Sequence, residues 1–225
     1  MKSITAVVFD LDDTLYPERE YAFSGFRAVA EALKRRLGDP TETSAEMRRL
    51  FDTEHRPRVF NALIARLGLG DDEDLIGEMV QTYREHPPTI SLHRDAEEAL
   101  ARFRPRYRLG LLTDGPAVMQ SAKMDALHVR DRFDAIILTA KLGEGFGKPH
   151  PLAFQRIADD LGVEPRVCAY IADNPAKDFI APNALGWTTI QVKRAEGIYR
   201  DESPPAGGTP HQVIDTLERL DTLLE

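Results

Sequence analysis

Five short apolar runs, rich in β-branched residues and separated by helical patterns, constrain this chain more than any other feature. They are Ile4-Thr5-Ala6-Val7-Val8-Phe9-Asp10, then Tyr107 to Thr113, Ala135 to Leu138, Cys168 to Ala172 and Trp187 to Val192. Short, largely apolar runs of this kind suit strands buried on both faces. Asp95-Ala96-Glu97-Glu98 opens a helix with a cap and early acids, and Arg102 and Arg104 close it near Pro105, a polarity that complements the helix dipole. Pro151 suits the first turn of a second helix, with Phe154, Ile157, Ala158 and Leu161 on one face and Gly162 as its stop. A last helix is expected to align Val213, Leu217, Leu220 and Leu224. Strand alternating with helix implies a parallel sheet covered on both faces, an α/β fold whose sites lie at the carboxyl ends of the strands. Asp10, Thr113 and Asp173 stand at those ends.

The alternation fails between residues 20 and 86. Phe26, Val29, Ala30, Leu33 and Leu37 form one helical stripe. Phe60, Leu63, Ile64 and Leu67 form another, stopped by Gly68. Leu75, Ile76, Met79, Val80 and Tyr83 form a third, stopped by Pro87-Pro88, and a shorter helix fits Ser44 to Phe51. A small helical unit is therefore expected as an insert after the first strand. The division expected is residues 1–15 with 90–225 as a core and 16–89 as the insert. A length of 225 residues suits that arrangement. Asp201 to Pro210, with Pro204-Pro205 and Gly207-Gly208, reads as a surface loop.

Charge narrows the partners. Thirty-seven acids against 29 bases give a net charge of −8, which argues against a duplex nucleic-acid binder. An anionic small molecule stays compatible, because a metal and one or two placed cations reverse the field locally. Arg102, Arg104, Arg106 and Arg108 read as a solvated helix end and strand edge. The single cysteine, Cys168, allows no intrachain disulfide and reads as a small buried residue. No run approaches a membrane span, and acids follow Val7, Val8 and Phe9 at once, unlike a secretory leader. The expectation is a cytoplasmic protein with no membrane partner.

Four stretches carry chemistry. In Phe9-Asp10-Leu11-Asp12-Asp13-Thr14-Leu15 an apolar strand ends in acids two apart, which share a side if the strand geometry persists. Two such carboxylates repel unless a cation or proton intervenes, and an oxygen-rich cluster favours a hard ion such as magnesium. One carboxylate can then attack phosphorus while the other handles a proton. Taken alone, Asp-x-Asp is better explained by a polar turn capping the next helix. In Leu111-Leu112-Thr113-Asp114-Gly115-Pro116 the backbone N–H groups and the Thr113 hydroxyl can receive phosphate oxygens, although a plain turn also fits. In Gly147-Lys148-Pro149-His150-Pro151 the lysine can hold a nearby carboxylate ionised and screen phosphate charge. His150 reads as a helix-start residue without a catalytic part. In Tyr170-Ile171-Ala172-Asp173-Asn174-Pro175-Ala176-Lys177-Asp178, Asp173 can ligate a metal, and Asp178 can do the same or hold Lys148. Lys177 reads as a surface residue.

Asp-x-Asp, Thr, Lys and Asp-x-x-x-x-Asp, in that order and with a helical insert between the first two, give a chain that resembles the haloacid dehalogenase superfamily. The resemblance covers residues 4–15 and about 90–192, with Ala172-Asp173 where the family often has Gly-Asp. It implies a Rossmann-like core with helices on both faces and an inserted α-helical cap that closes over the substrate. It implies Asp10 as the nucleophile that becomes aspartyl-phosphate and Asp12 as the group that protonates the leaving alcohol and then deprotonates water. Thr113, with the backbone around Asp114 and Gly115, would bind phosphate, and Lys148 would steady both Asp10 and the phosphate. Mg2+ would be held by Asp10, the main-chain carbonyl of Asp12, and Asp173, with Asp178 in support. The implied activity is a magnesium-dependent phosphatase acting on a small phosphorylated metabolite. Asp12 separates the chain from the dehalogenase branch, which lacks an acid there and uses no magnesium. The phosphonate-cleaving branch uses a cap lysine, and Lys34, the only lysine in the insert, lies between Leu33 and Arg35-Arg36 and reads as solvated. Two alternatives remain: a sugar phosphomutase using the same carboxylates, and a non-catalytic phosphate-binding or regulatory module. Substrate choice is expected in the insert and in Tyr16 to Tyr21. Arg19, Arg27, Arg56 and Arg58 are candidates there, each also explicable as solvated surface.

Overall fold

The computed structural model describes residues 3–53 and 56–224. In chain order the elements are β1 (Ala6–Phe9), α1 (Glu18–Ala32), α2 (Lys34–Leu37), α3 (Pro40–Phe51), α4 (Val59–Arg66), α5 (Glu73–Glu85), α6 (Arg94–Phe103), β2 (Arg108–Thr113), α7 (Ala117–Ala126) and β3 (Ala135–Leu138). They continue with α8 (Leu152–Leu161), β4 (Cys168–Ala172), α9 (Ile180–Ala184), β5 (Thr188–Val192), β6 (Gln212–Ile214) and α10 (Leu220–Leu224). Residues 1–18 with 90–225 form one compact unit, and residues 19–89 form another.

The larger unit is built on one parallel sheet of order β3-β2-β1-β4-β5-β6. All four residues of β1 and all five of β4 are fully buried, which is why these strands read as unbroken apolar runs. Val8, Leu112, Phe154, Ile157, Tyr170 and Trp187 belong to one core cluster under α8. Gly110 allows the close approach of that helix: a Cβ there would lie 2.9 Å from Ile157 Cδ1 and 3.0 Å from Val8 Cγ2. Gly162 ends α8 in the left-handed conformation, at φ 68°. The register sets Phe9 beside both Leu111 and Ile171, so the next residues along β1, β2 and β4 emerge together at the carboxyl edge.

The smaller unit holds no strand among its described residues. Asp39 caps α3 by accepting from the backbone N–H groups of Thr41 (2.9 Å) and Glu42 (3.0 Å), with Pro40 in the first turn. That cap starts the helix four residues before the expected Ser44. Phe26 packs edge-on to Phe51 and Phe60, with Tyr83 beside it. Gly25 leaves room for this cluster, since a Cβ there would come within 2.4 Å of the Tyr83 ring. Leu67, expected in a buried stripe, is exposed because α4 has ended at Arg66.

Two other expectations are corrected. Val213 does not lie on a helix: it belongs to β6, pairs with Gln191 at the sheet edge and is exposed. The final helix holds only Leu220 to Leu224, after a 3-10 turn at Leu217–Arg219, because edge pairing with β5 takes up the preceding residues. Asp95 does not cap α6, whose N-cap is His93 without a side-chain bond. Its carboxylate instead accepts from Arg194 Nη1, Thr216 Oγ1 and the Leu217 N–H at 2.6 to 2.8 Å, tying α6 to the chain after β5 and β6. Arg102 and Arg106 pair with Asp221, and Arg104 and Arg108 with Asp134. Among the described residues no helix is long and apolar enough to cross a membrane.

Candidate active site

Asp10 follows β1 directly, and its N–H donates to the Ile171 carbonyl of β4 at 2.9 Å. That bond extends the ladder by one residue and fixes where the side chain emerges. Lys148 reaches the same point from the loop before α8. Its Nζ donates to Asp10 Oδ1 at 2.7 Å and to the Tyr170 hydroxyl at 3.1 Å, and lies 2.7 Å from Asp178 Oδ1 as an ion pair. Asp178 is wholly buried, and its other oxygen accepts from the Asn174 N–H at 3.0 Å, closing the turn after β4. Asp173 begins that turn, and its carbonyl accepts from Gln191 Nε2 at 2.9 Å. Asp10, Asp173 and Asp178 each bring a carboxylate oxygen to within 4.8 Å of the others.

Charge in this cluster is unbalanced. Burial raises Asp10 to about 7, with Lys148 pulling the other way and Asp178 adding to the rise. Burial, then the charges of Asp178 and Asp10, push Asp173 well above the carboxylate range. Lys148 is drawn down by burial, but Asp10 and Asp178 outweigh this and hold it firmly protonated. Three buried carboxylates thus face one ammonium group. More carboxyl groups than cations, with Asp10 and Asp173 raised by burial and mutual repulsion, and an all-oxygen donor set fit a hard divalent cation.

The Asp12 carboxylate lies apart from this trio. Lys123 Nζ donates to its Oδ1 at 2.7 Å, the Tyr16 hydroxyl also bonds that oxygen, and Gln120 Nε2 donates to Oδ2 at 2.8 Å. Burial opposes ionisation here, but the Lys123 charge and these hydrogen bonds overcome it and hold Asp12 below the usual range. Thr113, fully buried at the end of β2, receives the same Gln120 amide at 2.5 Å. Gly115, at φ 118°, turns the chain into α7, a conformation glycine adopts without strain.

Asp114 does more than supply backbone. Its Oδ1 accepts from Thr139 Oγ1 at 2.7 Å and the Lys148 N–H at 3.2 Å, and its Oδ2 from Lys177 Nζ at 2.9 Å. Burial would raise this carboxyl, but Lys148 and Lys177 lower it below its ordinary value. Lys177 is accordingly not a plain surface residue: its bond to Asp114 holds it at the rim of a cavity of about 170 Å3. Asp10, Asp12, Thr113 and Asp173 line that cavity too. His150 is exposed, and its Nδ1 accepts from the Leu152 N–H at 3.2 Å, the helix-start role expected of it.

Several residues here have no counterpart in the motifs. Glu18 and Tyr199 line the cavity; burial and then the charge of Asp12 push Glu18 up to about 8, and burial and then Glu18 push Tyr199 up to about 12. Asp13, at φ 49°, accepts from the N–H groups of Glu18 (2.8 Å) and Ile198 (2.7 Å), pinning the loops that carry those two residues. Gln120 and Lys123 carried one sequence signal, two polar residues three apart soon after Thr113-Asp114-Gly115.

A family model described as haloacid dehalogenase-like hydrolase matches residues 4–186. The chain is 30% identical to a glyceraldehyde 3-phosphate phosphatase of Methanopyrus kandleri, over 96% of this chain and 98% of that one. It is also 30% identical to the N-acylneuraminate-9-phosphatase of Rattus norvegicus, over 60% of this chain and 53% of the other. Among solved structures, a HAD hydrolase of Bacillus subtilis bound to magnesium superposes with a TM-score of 0.72 at 19% identity, over 100% of both chains. A HAD-superfamily hydrolase of Geobacter sulfurreducens gives 0.71 at 20% identity, over 99% of this chain and 97% of that one. A match that runs from the strand of Asp10 to the turn beyond Asp178, with an archaeal relative aligned over nearly its whole length, means that the chain is an enzyme belonging to the haloacid dehalogenase-like hydrolase family.

Proposed function

We propose that the chain is a magnesium-dependent phosphatase that moves the phosphoryl group of a small metabolite first to Asp10 and then to water. The observation that carries this reading is Lys148 Nζ lying 2.7 Å from both Asp10 Oδ1 and Asp178 Oδ1 at the edge of a carboxylate cluster. The lysine opposes the rise that burial imposes on Asp10 and so favours the ionised form that a nucleophile needs. Asp10, Asp173, Asp178 and the main-chain carbonyl of Asp12 would hold Mg2+, which supplies neutralising charge for the phosphoryl oxygens.

In the first half-reaction an Asp10 oxygen attacks phosphorus and forms the new O–P bond. The bond to the leaving oxygen breaks, its electron pair stays with that oxygen, and Asp12 supplies the proton. Asp12 rests ionised beside Lys123, so this proton enters with the substrate as a monoprotonated phosphate. In the second half-reaction Asp12 takes a proton from water, the water oxygen attacks phosphorus, and Asp10 leaves with its electron pair. Thr113 and the N–H groups around Asp114 and Gly115 receive the phosphoryl oxygens. Relatives named for glyceraldehyde 3-phosphate, including those of Methanopyrus kandleri and Pyrococcus abyssi, make a three-carbon sugar phosphate the first candidate substrate.

Purified protein incubated with magnesium and a panel of phosphorylated metabolites, scored by released phosphate, tests this reading. Turnover should vanish with a chelator, return with magnesium, and fall by about 10³-fold or more in Asp10→Asn, whose amide is a poor nucleophile and a weaker ligand. Release of phosphate by Asp10→Asn at near wild-type rates would refute the mechanism.

A further inference from the structure

We propose that α7 is a clamp that aims the proton-transferring carboxylate, with Lys123 and Gln120 as positioning residues acting through Asp12. The inference rests on the phosphatase reading above and assigns it two residues outside the motifs.

Gln120 and Lys123 lie three apart on α7 and so share one helical face. Both are buried, at 1% and 4% exposure, where a helix packed on a sheet ordinarily carries apolar residues. A buried ammonium group is costly unless paired, and Lys123 meets Asp12 Oδ1 at 2.7 Å. The Gln120 amide nitrogen meets Asp12 Oδ2 at 2.8 Å. With the Tyr16 hydroxyl also on Oδ1, both oxygens are held, and turning the carboxylate about its own axis breaks bonds on both sides.

The orientation of the Gln120 amide follows from its surroundings. Its nitrogen lies among three acceptors: Asp12 Oδ2, Thr113 Oγ1 at 2.5 Å and the Asp114 carbonyl at 2.6 Å. The flipped amide would set its carbonyl oxygen against the Asp12 carboxylate and the Asp114 carbonyl, neither of which can donate, so the N–H groups face them. Because Gln120 donates to Thr113 Oγ1, the threonine keeps its own hydroxyl hydrogen for a phosphoryl oxygen. One side chain thus couples the group that moves the proton to the group that receives phosphate. Two hydrogens among three acceptors also means that the coupling is shared rather than fixed on any one partner.

Leaving groups separate this role from mere structural support. An alkoxide must be protonated as it departs, whereas p-nitrophenolate departs without a proton. kcat/KM reports the steps up to that departure and excludes the later attack by water. In Lys123→Met, kcat/KM should fall about tenfold or more for the alkyl phosphate turned over fastest in the metabolite panel, a fraction of what general acid catalysis contributes. For p-nitrophenyl phosphate it should fall less than about threefold, since that route bypasses the proton transfer. Lys123→Gln, which keeps the site polar, reads the same ratio if the methionine variant melts near the assay temperature. In the Asp12→Asn background Lys123→Met should cost little more, because the clamp then has nothing to aim. Parallel losses for both substrates, no loss for either, or additive losses in the double variant would overturn the clamp. Failure of the wild type to hydrolyse either substrate would instead overturn the phosphatase reading and the clamp with it.

Discussion

Two buried ionisable side chains, Lys148 and Cys168, show how partners rather than burial alone decide what a residue can do. Lys148 is surrounded by Asp10, Asp178 and the Tyr170 hydroxyl, so it remains a cation in a site that would otherwise strip its proton. Cys168, at the start of β4, has only the Glu164 carbonyl at 3.4 Å, an acceptor that stabilises a thiol and not a thiolate. Burial therefore pushes its thiol up to about 12. Native protein at pH 8 should leave Cys168 unmodified by a disulfide reagent over hours, and denaturant should release one thiol per chain at once. Rapid labelling without denaturant would contradict the burial assigned to it. The same contrast applies across the site: Asp12 and Asp114 have cations within 3 Å and are held ionised, whereas Asp173 has carboxylates nearby and is not.

Elements in this chain are set by their ends as much as by their faces. Asp39 satisfies two of the free N–H groups at the start of α3, and Asp39→Ala should lower the stability of the helical unit by about 1 kcal/mol. The check is the urea midpoint of the transition that reports residues 19–89, with activity in dilute buffer as the control. Sequence periodicity saw the apolar stretch of this helix but not its first turn, because the first turn depends on a cap. The sheet was readable for a simpler reason: β1 and β4 are buried on both faces, and such strands leave continuous apolar runs. β6 was not readable, since an edge strand with Val213 exposed looks like part of a helical stripe. Asp10, Thr113, Lys148 and Asp173 were legible because each stands at a strand end or a glycine-rich turn, and Asp178 because it follows Asp173 by five residues. Gln120 and Lys123 were not, because what marks them is contact with Asp12, more than one hundred residues earlier. Lys177, read as a surface residue, is half-buried, and its bond was not legible because its partner Asp114 stands 63 residues earlier.

Across the whole molecule, the excess of carboxyl groups over cations around Asp10, Asp173 and Asp178 links stability to pH. A carboxyl whose folded value is raised keeps its proton more tightly when folded. Asp10, raised from 3.8 to about 7, therefore contributes stability that is complete below pH 3.8 and lost as pH climbs through about 7. A divalent cation that binds only the folded core offsets that loss, by about 2.7 kcal/mol at one hundred times its Kd. Magnesium should therefore raise the melting temperature by several degrees at pH 8 and by much less at pH 5, measured by calorimetry against a chelator control. An equal shift at both pH values would show that the ion acts elsewhere. The strand order has a further consequence for how the molecule comes into being. β1 is the earliest strand along the chain, yet its neighbours begin at Arg108 and Cys168. During synthesis one hydrogen-bonding edge of this greasy segment must wait for β2 and the other for β4, so β1 stays incompletely paired until Cys168 to Ala172 have been made. A product ending before β4 would keep Asp10 but lack the Ile171 carbonyl and the turn of Asp173 and Asp178 that seat it, so such a fragment should release no phosphate from a phosphate ester.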